Sequence, residues 1–472
     1  MRRVLYIIFI ISFGFLFIAK ANQTPNEADT AVIVISREID TTKISQTPYE
    51  NDFGFGEKPS REKFDEKDSV PSFWVSNVFD PMRVTLKHEV AYKATSPDGV
   101  KNNRSSIQLE YSKFYLDNVF LKFDSRLAIF WKNDHRSREA LLWVNDKHLV
   151  TNEAFDIKMR EAYLQTSFGK TSIKAGIQVP VWGESDLAAV TDVLTPMDYR
   201  EPLIISPETM RIGQPMLTID QYLPFGDFNF FFNPYPSFSK HPLKGDYYYF
   251  DSFNDAVEYR DKAQNKNNFE YGMRWKKTFG RSDISIMSAS LIDNEYAYSM
   301  DNPSLISKSK IRYYIGGVTF NYAIGNFLMK GEVALKSKKA YNNSAFQIVK
   351  RNNVDASLGF EYNPSSTFTL SLEAANYHVN DWNREIQIKK NTYMLVLIMS
   401  KQLLNDNLAI YWITMCTGPY NAFFNYLSTS YKLNDHFSLF FDTIIPLTDD
   451  NKSMFWNYRD QKQVAFKIQY QF

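Results

Sequence analysis

The sequence predicts an all-β fold: a transmembrane antiparallel β-barrel of about 18 strands, with short periplasmic turns and long outer loops. Three observations predict it. From residue 82 onward, strand-length segments with period-2 alternation follow one another, and several reach the length a tilted spanning strand needs. Tight turn signals and longer polar links alternate in order between those segments. Aromatic residues make up 16% of the chain, with 38 Phe and 29 Tyr, yet mean hydropathy is only −0.37. That combination arises when only every second wall residue meets lipid.

The N-terminus is set apart from this pattern. Arg2 and Arg3 precede an almost unbroken apolar run from Val4 to Ile18, and Ala19-Lys20-Ala21 is a small-x-small cleavage pattern. Residues 1–21 therefore read as a secretory signal peptide. Losing Arg2, Arg3 and Lys20 takes the net charge from +1 to −2, so no electrostatic case for nucleic acid exists. After the signal, no apolar run reaches the roughly 18 residues of a membrane helix. The one cysteine, Cys416, forms no intramolecular disulfide and reads as a buried or lipid-facing hydrophobe. Residues 22–75 are polar and read as a periplasmic segment or partial plug, interrupted by the β-branched run Asp29–Ser36. Residues 76–472 are assigned to the barrel.

Within the barrel the alternation separates two faces. Val84, Leu86, Val90 and Tyr92 oppose Lys87, Glu89 and Lys93. Val119, Leu121, Phe123, Leu127 and Ile129 oppose Lys122, Asp124 and Arg126. The same holds for Tyr271, Met273 and Trp275 against Glu270, Arg274 and Lys276, and for Phe327, Val333 and Leu335 against Lys330, Glu332 and Lys336. Tight turns are expected at 116–118, 169–171, 224–227, 280–283, 324–326, 363–366, 404–407 and 433–435. Longer links are expected near 94–103, 133–155, 182–215, 235–267, 294–309, 339–352, 379–390 and 448–461. The count closes with both chain ends on the periplasmic side. Its weak places are the pair around 216–234 and the short link at 417–420, so 16 strands is the alternative count.

Placing the polar face in the lumen makes Lys87, Glu89, Lys122, Arg126, Glu161, Lys174, Gln178, Glu270, Arg274, Lys330 and Glu332 lumen-wall residues. Positive and negative charges balance, which suits a hydrated pore without strong ion selection. The least barrel-like stretch is 172–215, where a strand runs into Pro180, a Trp-Gly-Glu-Ser turn and an acidic, proline-punctuated segment. Long patterned loops are often functional. Trp182, Glu184, Asp186, Asp192, Asp198, Arg200, Glu201 and Arg211 are the candidates for a pore constriction, with Arg200, Glu201 and Arg211 expected to pair with wall charges. The aromatic runs 228–238 and 246–253 read as interface girdle and loop caps.

The stretch Arg160–Glu201 also carries a family resemblance. Glu161-Ala162-Tyr163-Leu164, Gly176-Ile177-Gln178, Trp182-Gly183-Glu184 and Thr195-Pro196-Met197-Asp198 resemble the signature of a bacterial outer-membrane, porin-like β-barrel family of unknown function. That family is distantly similar to alginate-export-type porins. The resemblance covers about 80 residues and implies an outer-membrane porin-like protein moving an apolar or large organic substrate.

The expected function is passive passage of a small or apolar organic solute through the bacterial outer membrane. The alternative is a non-conducting scaffold or surface-binding barrel. Catalysis is not expected: His88, His135, His148, His241, His378 and His436 sit in no nucleophile motif, although His135 and His148 share a loop with Asp134 and Asp146. No metal site or cofactor is expected. The expected partners are outer-membrane lipid, an unknown solute and the barrel-assembly machinery, and homo-oligomerisation is compatible with the class. The closing "VAFKIQYQF" alternates and ends on Phe472; with Tyr470 it resembles the C-terminal signal read by that machinery. Its strand would close the barrel against the strand near Arg83–Lys93, removing an open edge.

Overall fold

The computed structural model describes residues 81–472, apart from short stretches at 116–117, 137–138, 145–146, 153–154, 205–206, 243–247, 250–257, 262–267 and 303–304. The expected signal peptide and the polar segment 22–75 lie outside the described residues. Eighteen antiparallel strands form one continuous sheet. In chain order, β1 (Met82–Lys93), β2 (Gly99–Tyr115), β3 (Val119–Phe130), β4 (Phe155–Phe168), β5 (Thr171–Gln178) and β6 (Gln214–Leu223) build the first third. They are followed by β7 (Gly226–Asn233), β8 (Glu270–Phe279), β9 (Ser282–Ile292), β10 (Arg312–Ile324), β11 (Phe327–Asn342) and β12 (Ile348–Ser365). The last third is β13 (Phe368–Val379), β14 (Asn391–Leu403), β15 (Leu408–Gly418), β16 (Ala422–Lys432), β17 (Phe437–Leu447) and β18 (Gln463–Gln471).

Each strand pairs with its sequence neighbours, and β18 pairs with β1 from Thr85↔Gln471 to Lys93↔Gln463. The Phe472 N–H donates to the Val84 carbonyl at 3.0 Å. Closure gives every edge N–H and C=O a partner, which an open sheet could not do in hydrocarbon. The strand count is 18, not 16, because the two doubtful hairpins are real: β6 pairs β7 across 224–225, and β15 pairs β16 across 419–421. The tight turns among the described residues fall at one end of the barrel, the end where Tyr115 pairs with Val119 across the first of the expected turns. Two expected long links are shorter than the sequence suggested. Strands β11 and β12 continue as a hairpin to 342 and 348, and β2 begins at Gly99, so polar residues there sit on ladders rather than in loops.

Burial is inverted relative to a soluble protein. Outward Ile107, Val318, Leu335, Leu395 and Phe466 are 44%, 46%, 57%, 47% and 51% exposed, while inward Glu332, Glu373 and Arg104 are 2%, 0% and 6% exposed. An apolar surface of this extent is not a water-facing one and suits lipid. Aromatic belts flank it. Tyr322, Phe327, Tyr362, Phe437 and Tyr470 lie at the short-turn end, and Tyr92, Trp131, Phe155, Tyr271 and Tyr393 toward the long-loop end. Cys416 faces outward, between Leu395 and Phe423 in the register.

The lumen wall departs from the expected uniform polarity. Over β14–β17 both faces are apolar: Val396, Ile398, Ile413, Met415, Phe424 and Ile444 point inward and are buried, together with Leu203, Tyr248 and Phe455 from the long-loop side. Strands apolar on both faces lose period-2 alternation, and "YMLVLIMS" and "IYWITMCT" show that loss in the sequence. Tyr248, expected in the girdle, is part of this inner cluster.

Candidate functional site: a segment folded into the lumen

Residues 179–213, between β5 and β6, turn into the barrel. Two wall glutamates hold them there through the backbone. Glu332, on β11, accepts from the N–H of Glu184 (2.7 Å), Ser185 (2.7 Å), Val190 (2.9 Å) and Thr191 (2.9 Å), and from the Thr191 hydroxyl (2.7 Å). Glu373, on β13, accepts from the N–H of Asp186 (2.8 Å), Leu187 (3.0 Å) and Ala188 (3.0 Å). A loop buried in a lumen has backbone donors that must find partners. Here the wall supplies them as carboxylates, the stronger kind of acceptor. Gly183 makes the close turn possible, since a Cβ there would lie 2.8 Å from the Ala189 Cβ and 3.3 Å from Glu332 Oε1.

Apolar packing fills the same contact. Trp182 is 2% exposed and meets Phe231 of β7 edge-on, with ring centroids 5.4 Å apart. Ala188, Val190 and Leu194 pack with it against inward Met216, Met287, Leu291 and Ile315. Burying a large aromatic of this kind contributes about 1.5–3 kcal/mol. Charges complete the attachment at the rim of the segment. Arg200 pairs with Asp198 (2.6 Å) and with Asp156 of β4 (2.9 Å). Glu201 pairs with Arg104 of β2, which also takes Asp134 at 2.9 Å. Asp186 reaches Lys330 at 3.4 Å, and the Glu184 carboxylate accepts from Asn321 Nδ2 at 3.2 Å. Arg211 does not pair with the wall as expected. It bonds Asp192 at 2.6 Å within the segment, where the bridge between Met197 and Arg211 brings the two arms together.

Electrostatics in the loops follows from burial and these partners. Burial opposes ionisation of Glu201, but Arg104, His135 and Arg136 outweigh it and hold the carboxyl at about 2. Burial also works against Asp198, and Arg200 and Lys158 bring it down to about 2. Asp192 is pushed up by burial against the pull of Arg211. His135 is driven down to about 3 by burial despite Glu201, so it is neutral at pH 7. It lies 3.5 Å from Asp134. The side chains of His148 and Asp146 lie outside the described residues.

The other wall candidates all face inward. Glu89 accepts from Asn102 Nδ2 at 2.7 Å and pairs with Lys467 at 3.6 Å. Gln178 donates to the Met216 carbonyl at 2.9 Å and accepts from Thr218. Glu270 accepts from the Ile292 N–H and from Asn233. Arg274 donates to the Val181 carbonyl, and Lys174 lies 4.7 Å from the centre of the Tyr163 ring. Lys87, Lys122, Arg126 and Glu161 lie on inward rows of β1, β3 and β4. Sequence reasoning passed over Glu373, Arg104 and Asp156 as holders of the segment, and over the apolar wall. Glu373 carried no local signal, because its partners are backbone groups 185–187 residues away.

The family model described as Protein of unknown function (DUF1302) matches residues 90–395. The chain belongs to the DUF1302 family. The matched span includes β2–β13 and the inserted segment with both of its wall glutamates, so in this family member the family region and the candidate site coincide. Among curated proteins, none matches the chain in sequence. Among solved structures, the chain is similar to Acinetobacter baumannii OccAB2 at 8% identity and a TM-score of 0.49, covering 83% of this chain and 97% of that one. It is similar to Pseudomonas aeruginosa OccK2 (OpdF) at 10% identity and 0.48, over 83% and 97%. It is also similar to Salmonella typhi OmpF, determined in complex with daunomycin, at 12% identity and 0.40, over 83% and 97%.

Proposed function

We propose that this DUF1302 member is an outer-membrane, porin-like channel that passes a small or apolar organic solute down its gradient, with residues 182–213 as the constriction. The observation that carries the reading is the inside-out barrel narrowed by a segment bonded to its wall through Glu332 and Glu373. A lipid-facing exterior, a charged interior and a fixed internal narrowing are the parts a selective pore needs. Trp182, Glu184, Asp186, Asp192, Asp198, Arg200, Glu201 and Arg211 then set the width and lining of the narrowing. Tyr470 and Phe472, on the outward face of the closing strand, serve as the assembly signal.

The test is single-channel recording in planar bilayers. The expected result is a small, discrete conductance that increases several-fold when residues 182–213 are replaced by a short Gly-Ser link. A folded protein that passes no current, with or without the segment, overturns the channel reading in favour of a non-conducting scaffold.

A further inference from the structure

The lumen wall is balanced in charge but not in pairing. Lys467, Lys330 and Lys336 are committed to Asp442, Glu361 and Asp355 at 2.5, 3.0 and 2.8 Å. Among the described residues, Lys87 and Arg126 have no ion pair and no hydrogen bond, although both face inward and are half-buried. Lys122 and Glu161 also lack partners, but they sit diagonally across the β3–β4 ladder (Lys122↔Tyr163, Asp124↔Glu161) and offset each other. Lys87 and Arg126 are thus two inward cations without a carboxylate partner, whereas Lys174, also without an ion pair, lies against the Tyr163 ring. Register locates Lys87 and Arg126. Glu89↔Arg104 marks the row where Glu201 docks, Lys87↔Ser106 is the next inward row toward the short-turn end, and Gln108↔Arg126 is the row after that. The two free cations stand directly beyond the constriction.

The side of the lumen next to them is of opposite character. Lys87 Nζ lies 5.6 Å from the centre of the Phe440 ring. Beyond Phe440, a recess carries Ile204, Tyr426, Ile444 and Ala465 beside Gln463 and the Glu89–Lys467–Asp442 ion pairs. Between residues 392 and 430 the inward rows of β14, β15 and β16 carry no charged side chain. A solute leaving the constriction meets two uncommitted cations on one side and an uncharged, largely apolar wall on the other.

We propose that the solute is an organic anion with an apolar body: Lys87 and Arg126 take its anionic group, and the wall from Phe440 to Ile398 takes its body. This rests on the channel reading above. Arginine presents a planar fork of donors that fits a carboxylate or sulfonate, and lysine adds a mobile point charge. Both act in a lumen where water screens less than in bulk. Glu89 and Asp442 share Lys467, which offsets one of their two negative charges, so Lys87 and Arg126 must outweigh the other for an anion to bind.

Planar-bilayer recording on the full chain tests it, with benzenesulfonate, methanesulfonate and phenyltrimethylammonium as probes. Benzenesulfonate should interrupt the current at concentrations about tenfold lower than either other probe, a ratio equivalent to about 1.4 kcal/mol. A KCl gradient should give an anion-selective reversal potential. The variant Lys87→Gln/Arg126→Gln should still form channels that pass current, at a changed conductance, and lose both preferences. Equal action of the three probes, or preferences that persist in the variant, overturns the proposal while leaving the channel reading intact. If no current is seen, calorimetric titration of the detergent-solubilised protein with benzenesulfonate decides the site separately. Binding that the double variant removes upholds it, and no binding overturns it.

Discussion

Replacing Glu332 with alanine should release residues 184–185 and 190–191 from the wall, while Glu373 still holds 186–188 and the barrel stays closed. Five hydrogen bonds converge on the Glu332 carboxylate, four of them from backbone N–H groups. A hydrogen bond to a charged group is worth about 1.5–3 kcal/mol, and a buried donor left alone costs about 1–3 kcal/mol. The terms share one acceptor and are not additive. Counting only two of them at the midpoint gives about 4 kcal/mol, equivalent to about a thousandfold shift toward the released loop. The wall does not depend on this carboxylate, because the β10–β11 and β11–β12 ladders run through backbone groups. Amide hydrogen exchange reads the outcome directly. Protection at Glu184, Ser185, Val190 and Thr191 should fall by about three orders of magnitude. Strand amides of β10–β12 should stay slow. Glu332→Gln should fall between, since one oxygen still accepts while the new NH2 group opposes the N–H groups of its former partner pair. If the four amides in Glu332→Ala exchange as slowly as in the parent protein, the carboxylate is not what holds the segment.

Two further outcomes follow from the same contacts. Acidification should loosen the Arg104–Glu201–His135 junction. Glu201 sits at about 2 against an ordinary 4.5, so its contribution is complete above 4.5 and is lost as pH falls toward 2. His135 sits at about 3 against 6.5, so the packed form refuses a proton that the released form accepts, at a cost of about 2 kcal/mol by pH 5. Conductance should therefore rise between pH 7 and pH 5, and a flat profile refutes the junction's role. Removing residues 463–472 should abolish assembly, because β1 and β17 then lose the strand that pairs with both. The measurement is resistance of the unheated protein to SDS, and a truncated chain that still migrates as a compact species counts against the seam.

Much of the architecture was legible in local pattern, because a barrel wall is built from local pattern. Alternation placed Lys330, Glu332 and Lys336 on the inner face and Phe327, Val333 and Leu335 on the outer one, and their registers agree. Turn residues located the tight turns among the described residues. The pattern failed where both faces share one polarity. In β14 and β15 it concealed which of Val396 or Leu397, and Ile413 or Trp412, looks into the lumen. Side-chain composition also could not reveal acceptors for backbone donors, so the holding role of Glu373 was invisible. Arg211 was legible as a charged member of the segment, but not as the partner of Asp192 rather than of the wall.

The sequence by itself determined the period of the wall and, wherever polar and apolar residues alternate, the sense of its two faces, because each depends on residues within a strand's length of one another; it left 16 or 18 strands open. It also marked 182–215 as a segment unlike the rest. Only the tertiary structure decided that this segment lies in the lumen and which charges remain uncommitted there. Pairing is a property of distances across the barrel. Two walls with the same composition differ in function according to which lysine finds a carboxylate and which, like Lys87, does not.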